Sequence, residues 1–379
     1  MSWRVTLSTT DLGPREYAAA LKVLRSGWLS TGDVTARFEA AFAAYTGARH
    51  AVALSNATAA LHLACVAAGV GPGDEVIVPS LTFVATANAV LYAGATPVFA
   101  EVRSAEDLTL DPADVARRVT SRTKAILPVH YAGAPCDMDA LSRIARARRL
   151  VIIEDCAHSV GTWHRRRHTG RFGAAGCFSF FANKNMTTGE GGMLVSDDDA
   201  VAARARLLRS HGMTSVTLDR HRGHASAYDV TAMGFNYRID EMRSALGLVQ
   251  LSRLDGINAR RAAVARAYEE RLAAIPDVTV PFAGRRGPFA RHILPIVVDA
   301  AVRDRVRERL AAARVQTSIH YHPVHLFTHY RRALGHRDGE LPVTEGIAAG
   351  IITLPLHQKM RIRDVDLVCR ELAAALRGA

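Results

Sequence analysis

The sequence G-C-F-S-F-F-A-N-K-N-M-T-T-G-E-G-G-M-L-V, residues 176–195, decides how this 379-residue chain folds. Two apolar runs in it, Cys177–Ala182 and Met193–Val195, have the length and composition of buried strands. The polar loop between them contains Lys184 and three glycines. A desolvated lysine has a lowered pKa and can attack a carbonyl as a free amine, and glycines let the backbone approach a ligand. The alternative is a surface lysine in a glycine-rich hairpin.

Short apolar runs alternate with helical segments over most of the chain. The predicted strands are Ala51–Ser55, Glu75–Pro79, Pro97–Glu101, Ala125–His130, Leu150–Glu154, Cys177–Ala182 and Met193–Ser196. The predicted helices between them include Ala57–Gly69, Val84–Ala93, Pro112–Val119 and Met138–Arg149. This alternation predicts an α/β domain built on a largely parallel sheet. In such sheets a ligand lies at the carboxyl ends of the strands.

The pattern changes at about Gly256, which predicts a large α/β domain over residues 1–255 and a smaller α+β domain over residues 256–379. Helices are also expected near the N-terminus, at Pro14–Ser26 and around Ala36–Tyr45. The elements predicted for the smaller domain are helix Ile257–Ala274, strand His292–Val298, helix Ala301–Ala313, strand Val315–Tyr321 and helix Arg363–Leu376.

Charge and composition argue against several classes of protein. The formal net charge is +12, but the arginines alternate with alanine and leucine in helical segments such as Ala200–Arg209 and Arg303–Arg314. That pattern is typical of solvated helix faces, so we expect no nucleic-acid partner, although a positive surface would steer a phosphorylated small molecule. No apolar run could span a membrane and no leader is evident, so we expect a cytoplasmic protein. The five cysteines share no metal-type spacing and should be reduced thiols.

Three groups of residues could together bind one cofactor. Ser55–Ala64 places a helix N-terminus and the Thr58 hydroxyl directly after a strand, which suits a phosphate, although a simple N-cap by Asn56 or Thr58 is the stronger explanation of this stretch by itself. Asp155 ends a predicted strand, where it could pair with a protonated ring nitrogen or cap the next helix. Ser179 and Lys184 add a hydroxyl and an amine. Amine, carboxylate and phosphate cradle together match the needs of pyridoxal 5'-phosphate (PLP).

Longer motifs extend this interpretation to nearly the whole chain. They are Gly71–Thr86, Gly94–Phe99, Arg122–His130, Asp137–Asp139, Ile152–His158, Phe178–Gly192, Leu208–Gly212, Gly234–Ile239 and His320–His325. In these motifs the chain resembles the DegT-type (DegT/DnrJ/StrS-like) sugar aminotransferases. The resemblance implies an aspartate-aminotransferase-like fold (PLP fold type I) and PLP as the cofactor.

The resemblance also implies roles for residues around the cofactor ring. Lys184 would bond to the cofactor aldehyde and later move protons, and Asp155 would pair with the ring nitrogen. His158 would lie beside the ring near its 3-hydroxyl. Many relatives have glutamine there, so a pH-sensitive hydrogen bond is expected. Phe83 matches the aromatic residue that stacks on the ring.

For the phosphate, the resemblance implies contacts from Thr58, Ala59 and Ser179. Asn236 would reach the phosphate held by the partner subunit, so that an obligatory homodimer shares its active sites. Ala57 departs from the family, where glycine is common, which narrows the approach to the phosphate slightly without removing a donor.

The reaction implied is the transfer of nitrogen from glutamate to C4 of a nucleotide-linked, dTDP-type 4-keto-6-deoxyhexose, for aminosugars of an antibiotic, another secondary metabolite or a glycan. Acceptors with a 3-keto-sugar or keto-inositol structure are the alternatives. An alternative from a different functional class is a catalytically silent or regulatory homologue. Such a protein should have lost Lys184, Asp155 or Ser179. His320, His322 and His325 lack a cysteine or carboxylate companion, so we expect no metal and place them at the edge of a substrate pocket.

Overall fold

The computed structural model describes residues 3–215, 227–285 and 287–377. A sheet of seven strands forms its centre. The strands along the described chain are β1 (His50–Leu54), β2 (Glu75–Pro79), β3 (Thr96–Ala100), β4 (Thr123–Ile126), β5 (Val151–Asp155), β6 (Trp163–His164), β7 (Arg167–His168), β8 (Ala175–Ser179), β9 (Gly192–Ser196), β10 (Leu294–Val297) and β11 (Ile351–Leu354). The order in the large sheet is β1-β9-β8-β5-β4-β2-β3. Only β9 pairs antiparallel with its neighbours in this sheet, so the predicted, largely parallel α/β architecture is confirmed.

Helices cover the sheet. They are α1 (Pro14–Ser26), α2 (Asp33–Thr46), α3 (Ala57–Ala67), α4 (Ala85–Tyr92), α5 (Pro112–Arg118), α6 (Met138–Arg148), α7 (Asp199–Arg209), α8 (Glu241–Leu272), α9 (Ala300–Ala312), α10 (Thr328–Leu334), α11 (Pro342–Gly350) and α12 (Ile362–Arg377). Aspartates cap five of them through hydrogen bonds to free backbone N–H groups, which is why these helices begin where they do: Asp111, Asp137, Asp198, Asp240 and Asp299.

The apolar side chains form separate cores. One lies between the large sheet and helices α3, α4 and α7. On the other face of the sheet, Phe38 and Phe42 of α2 pack edge to face and tilted against Phe178 and Phe180 from β8 and its end, with ring centroids 5.1–5.5 Å apart. Such pairs add roughly 0.5–1.5 kcal/mol each beyond the burial of their area. A further core joins α8, α9 and α12 to β10 and β11.

The C-terminal part departs from the sequence prediction in two places. Val315–Tyr321 was predicted as a strand, but it forms only isolated bridges, at Val315 and Ser318. The partner of β10 is instead β11, which was not predicted. The predicted helix Ile257–Ala274 is the second half of α8, a single helix of 32 residues, so the proposed boundary at residue 255 falls inside a helix. In addition, Val5 packs into the core formed by α8, α9, α12, β10 and β11. The two-domain division itself stays a prediction.

None of the helices in the described ranges is both long enough and apolar enough to cross a membrane.

Candidate active site

A cavity of about 620 Å³ opens at the carboxyl ends of the parallel strands. Its walls come from the ends of β1, β5 and β8, the loop after β2, and the segment before α10. Seven of the eight predicted site residues line it: Lys184, Asp155, His158, Ser179, Thr58, Ala59 and Phe83. Asn236 is not among the lining residues, whereas its neighbour Tyr237 is. Side chains that lie far apart in the sequence therefore meet in one place, as the carboxyl-end rule for parallel sheets requires.

Lys184 is partly buried in the turn that follows β8, where its backbone N–H donates to Phe181 O at 2.9 Å. Its Nζ lies 3.4 Å from Nε2 of His292. Burial lowers the pKa of Lys184 to about 8, and the negative charge of Asp155 limits this fall. An amine with a pKa this close to neutrality is available as a nucleophile and as an acid or base. The structure therefore favours the reactive lysine over the surface hairpin.

Asp155 is held by two hydrogen bonds at the end of β5. Its Oδ1 accepts from the Ala157 N–H at 3.0 Å, and its Oδ2 accepts from Thr86 Oγ1 at 2.8 Å. Thr86 in turn lies 2.9 Å from the hydroxyl of Thr82. Burial nevertheless raises the pKa of Asp155, and the positive charge of Lys184 offsets part of this rise. A protonated ring nitrogen beside the carboxylate would favour its ionised form further.

His158 lies beside Asp155 on the wall of the cavity. Its Nδ1 accepts from the Ala132 N–H at 3.3 Å, so the ring proton is on Nε2, which lies 3.1 Å from the Tyr321 hydroxyl. Burial and the nearby positive charge of Lys184 hold the pKa of His158 well below its usual value. The lowered pKa favours an uncharged imidazole, and the pH sensitivity of its hydrogen bond to the cofactor stays a prediction.

The candidate phosphate cradle is the N-terminus of α3. Asn56 caps the helix by accepting from the Ala59 N–H at 2.8 Å, so the simple N-cap is real. The same first turn also faces the cavity at Thr58, with Ser179 beside it. Gly192 packs against this turn, and a Cβ there would lie 2.4 Å from the Asn56 carbonyl. The close approach of β9 therefore fixes the helix end that an anion would meet.

One buried polar atom of a residue that lines the cavity has no hydrogen-bond partner among the described residues. The Asn183 Oδ1 atom is buried without a hydrogen bond, although Asn183 lines the cavity. Buried polar atoms are nearly always paired, and an exception indicates a ligand or a strained site. Together with the amine, the carboxylate and the helix end, this orphaned acceptor fits a polar cofactor in the cavity.

Glu154, next to Asp155, has a structural role. It accepts backbone hydrogen bonds from Gly170, Phe172 and Gly173 at 2.6–3.1 Å, and His130 Nε2 lies 3.0 Å from it. Both side chains are fully buried. A metal could in principle lie between His130, Glu154 and Cys156, but the Nδ1 of His130 accepts from the Cys136 N–H, and the carboxylate is already saturated. This network holds the loop 170–173 against the end of β5.

The three histidines of residues 320–325 separate in space. His320 lines the cavity, and its Nδ1 lies 3.0 Å from Thr353 Oγ1. His325 is buried elsewhere, between Ser80 at 2.7 Å and Glu345 at 3.2 Å. Ser80, His325 and Glu345 thus form a hydrogen-bonded Ser-His-Glu chain. Ser80 and His325 are fully buried, however, so no substrate reaches this chain. Only His320 meets the expectation that these histidines edge a substrate pocket.

A reactive lysine that faces an aspartate beside a helix N-terminus, at the carboxyl edge of a mostly parallel sheet, defines the class of PLP-dependent aminotransferases. The comparisons with known proteins narrow this class. The chain belongs to the DegT/DnrJ/EryC1/StrS aminotransferase family, whose sequence profile matches residues 10–373. PLP is therefore the cofactor of this enzyme, and a sugar is its substrate.

Individual relatives agree with this assignment. The chain is 39% identical over 374 residues to the spore coat polysaccharide biosynthesis protein SpsC of Bacillus subtilis, covering 97% of this chain and 96% of SpsC. Spr1654 of Streptococcus pneumoniae, solved in a PLP form, superposes with a TM-score of 0.92 at 29% identity over 99% of each chain. DesI, solved in the presence of its TDP-sugar product, superposes with a TM-score of 0.88 at 35% identity, over 100% of this chain and 94% of DesI.

Thr86, Tyr321 and His292 are among the residues of the site that were not singled out from the sequence. Thr86 and Tyr321 lie inside motifs that carried the family resemblance, so those motifs were the available signal. His292 is 108 residues from Lys184, and no local pattern marks it.

Proposed function

We propose that this enzyme moves the amino group of glutamate to C4 of a dTDP-linked 4-keto-6-deoxyhexose, in the cytoplasm and as a homodimer. The observation that carries the proposal is the meeting of Lys184 and Asp155 in one cavity that also holds a helix N-terminus. The TDP-sugar that accompanies DesI, a relative 35% identical in sequence, supports the choice of acceptor. A 3-keto-sugar or a keto-inositol is the alternative acceptor.

Each side chain then has a task. When bound, PLP supplies the electron sink that makes a proton next to the transferred nitrogen labile. Asp155 keeps the ring nitrogen protonated, and the Thr86 hydroxyl and the Ala157 N–H keep Asp155 ionised and aimed. Lys184 Nζ takes the proton from the α-carbon of glutamate, and in the second half-reaction it delivers a proton to the sugar carbon that receives nitrogen. Its pKa of about 8 suits both directions of transfer.

The remaining predicted residues would bind the cofactor. Thr58, Ala59 and Ser179 lie where the α3 N-terminus can hold a phosphate, with the positive end of the helix dipole toward the anion. His158 would donate from Nε2 to an oxygen at the edge of the ring. Phe83 is 57% exposed at the mouth of the cavity, and a planar ring stacked on it would cover that face.

A homodimer explains the surface around Asn236. In the single chain Met233 is 88% exposed and Val230 is 55% exposed, and both belong to the segment that leads into Asn236. Large apolar side chains left open in this way are typical of subunit interfaces. We propose that a second copy covers them and that Asn236 then reaches the partner's phosphate site, since it does not line the cavity of its own chain. The five free, buried cysteines support a reducing, cytoplasmic location.

The test follows the visible absorbance of the purified enzyme loaded with PLP. Addition of glutamate should shift the band to that of the aminated cofactor in the wild type and in Lys22→Ala, a control at an exposed lysine. Lys184→Ala should show no shift. The aminated enzyme is then offered a dTDP-linked 4-keto-6-deoxyhexose, its 3-keto isomer and a keto-inositol. NMR of the product identifies the carbon that gained nitrogen. Absence of the glutamate shift would refute the donor, and amination of another acceptor would refute the sugar.

A further inference from the structure

We infer that His292 is a positioning residue for the proposed reaction: it accepts a hydrogen bond from the ammonium form of Lys184 and holds that side chain ready between its proton transfers. The inference rests on the proposed function and concerns a residue outside the predicted site. The Nζ of Lys184 lies 3.4 Å from His292 Nε2, and the His292 ring packs behind the cavity wall against the ring of His158, with centroids 4.4 Å apart.

The direction of this hydrogen bond is decided by Asn185. The Asn185 amide nitrogen lies 2.8 Å from Asn258 Oδ1 and 2.5 Å from the Ala290 carbonyl, so both of its protons are directed at oxygen. Its Oδ1 must then face His292 Nδ1, at 3.1 Å, and that nitrogen must carry the proton. A neutral His292 is left with a bare Nε2, which can only accept. Lys184 is therefore the donor.

The position of His292 is decided by Arg261. This arginine is buried on α8 and donates to the backbone carbonyls of Arg291, His292 and Leu356 and to the side chain of Gln358, at 2.5–3.1 Å. The His292 N–H also donates to the Ala132 carbonyl at 2.9 Å. Backbone bonds on both sides of the residue leave its ring little freedom of position.

The charges around the pair keep the imidazole neutral. Burial and the positive charge of Lys184 hold the pKa of His292 well below its usual value, and His158, Arg261 and His320 act in the same direction. The negative group that faces Lys184 is Asp155, which acts on the lysine by favouring its charged form. An imidazole that cannot take a proton from Lys184 serves it only as an acceptor. His292 therefore orients Nζ without competing for the transferred proton.

The consequence is measurable in the protein without cofactor. The chain contains four lysines, Lys22, Lys124, Lys184 and Lys359, so lysine labelled with ¹³C at Cε gives a spectrum in which each can be assigned by substitution. A hydrogen bond accepted from an ammonium group favours its charged form, so His292→Leu should lower the pKa of Lys184 by about one unit. His292→Gln, whose amide oxygen can accept, should restore most of the shift. His168→Gln, a buried histidine outside the cavity, should leave the titration of Lys184 unchanged.

The holoenzyme provides the second measurement. In the glutamate half-reaction, the rate is measured against pH, and the part of this profile that reflects the titration of Lys184 should move about one pH unit lower in His292→Leu. The maximal rate should fall by a larger factor than the glutamate concentration for half saturation changes. The inference would be overturned if Lys184 had the same pKa in His292→Leu as in the wild type. It would also be overturned if the pKa of Lys184 in His292→Gln were no closer to the wild-type value than the pKa in His292→Leu. If His292→Leu does not fold, Asn185→Leu, which frees the imidazole to place its proton on Nε2, tests the same bond. The NMR titration needs no turnover, so failure of the proposed function would appear separately, as absent transamination with an unchanged NMR result.

Discussion

The hydroxyl of Thr86 should set the pH below which the enzyme loses its cofactor. Thr86 Oγ1 donates to Asp155 Oδ2 at 2.8 Å, and both side chains are buried. Thr86→Val keeps the shape of the side chain and removes the donor. A hydrogen bond to a buried charged group contributes roughly 1.5–3 kcal/mol, and 1.36 kcal/mol corresponds to one pKa unit. The pKa of Asp155, already raised by burial, should therefore rise by roughly one to two further units.

The sign of the effect follows from the charge that the cofactor requires. Pairing with a protonated ring nitrogen requires Asp155 to be ionised, so cofactor affinity should fall as the pH drops through the pKa of Asp155. In Thr86→Val this fall should begin roughly one to two pH units higher than in the wild type. Equilibrium dialysis against PLP between pH 5 and pH 9 measures it.

Thr86→Ser is the matched control, because it retains the hydroxyl and loses only a methyl group. Its affinity profile should follow that of the wild type. If the profiles of Thr86→Val and Thr86→Ser coincide across the whole range, the hydroxyl does not govern the charge of Asp155 and the reasoning is wrong.

Three other substitutions test the surroundings of the site. Burial lowers the pKa of His168 to about 4, so its contribution to stability is complete above its ordinary value near 6.5 and is lost as the pH falls toward 4. Between pH 6.5 and pH 4, the free energy of unfolding measured in urea should therefore fall by up to about 3 kcal/mol more in the wild type than in His168→Gln. Glu154→Gln should lower the free energy of chemical unfolding by about 3 kcal/mol or more, since an amide cannot accept from all the buried N–H groups that bond to the carboxylate. The control Glu308→Gln, on the surface, should change it by less than about 0.5 kcal/mol. Gly192→Ala should destabilise the fold by about 1–3 kcal/mol, because the new Cβ would displace the Asn56 backbone at the N-terminus of α3. The same displacement should weaken the binding of inorganic phosphate, measured by calorimetry. Unaltered phosphate binding would argue against a phosphate cradle at this helix end.

Local sequence patterns were sufficient to predict a helix or strand where a single clear signal marked its bounds. Helix Pro14–Ser26 and strand Glu75–Pro79 occur over the residues predicted for them. The helix lies between a proline that starts it and Gly27 in the left-handed conformation that ends it, and the strand is a continuous apolar run between turns. The carboxyl-end rule for parallel sheets then placed Asp155 and Ser179 on one cavity with Lys184.

The misses come from residues whose environment is set by distant parts of the chain. Gly256 was taken as a break, but it lies inside α8 with open space where a Cβ would be, so the helix tolerates it at a cost of about 1 kcal/mol. Val315–Tyr321 has the composition of a strand, yet it passes along the cavity with His320 and Tyr321, and Ile351–Leu354 occupies the place beside β10. His292 is invisible to any local pattern because Lys184 and Arg261 make its environment.

Helix α8 has a consequence for how the parts of the chain that pack on it can move. At 1.5 Å per residue, its 32 residues extend about 48 Å. A bend at residue 255 would break hydrogen bonds in the middle of this continuous rod. The part of the chain that packs on the first half of α8, such as Phe38 against Gly247, and the core that its second half shares with α12 are therefore joined by one rigid element with no hinge at residue 255. The faster motions at the cavity are those of exposed side chains that line it, such as the rings of Phe83 and Phe181, which are 57% and 44% exposed.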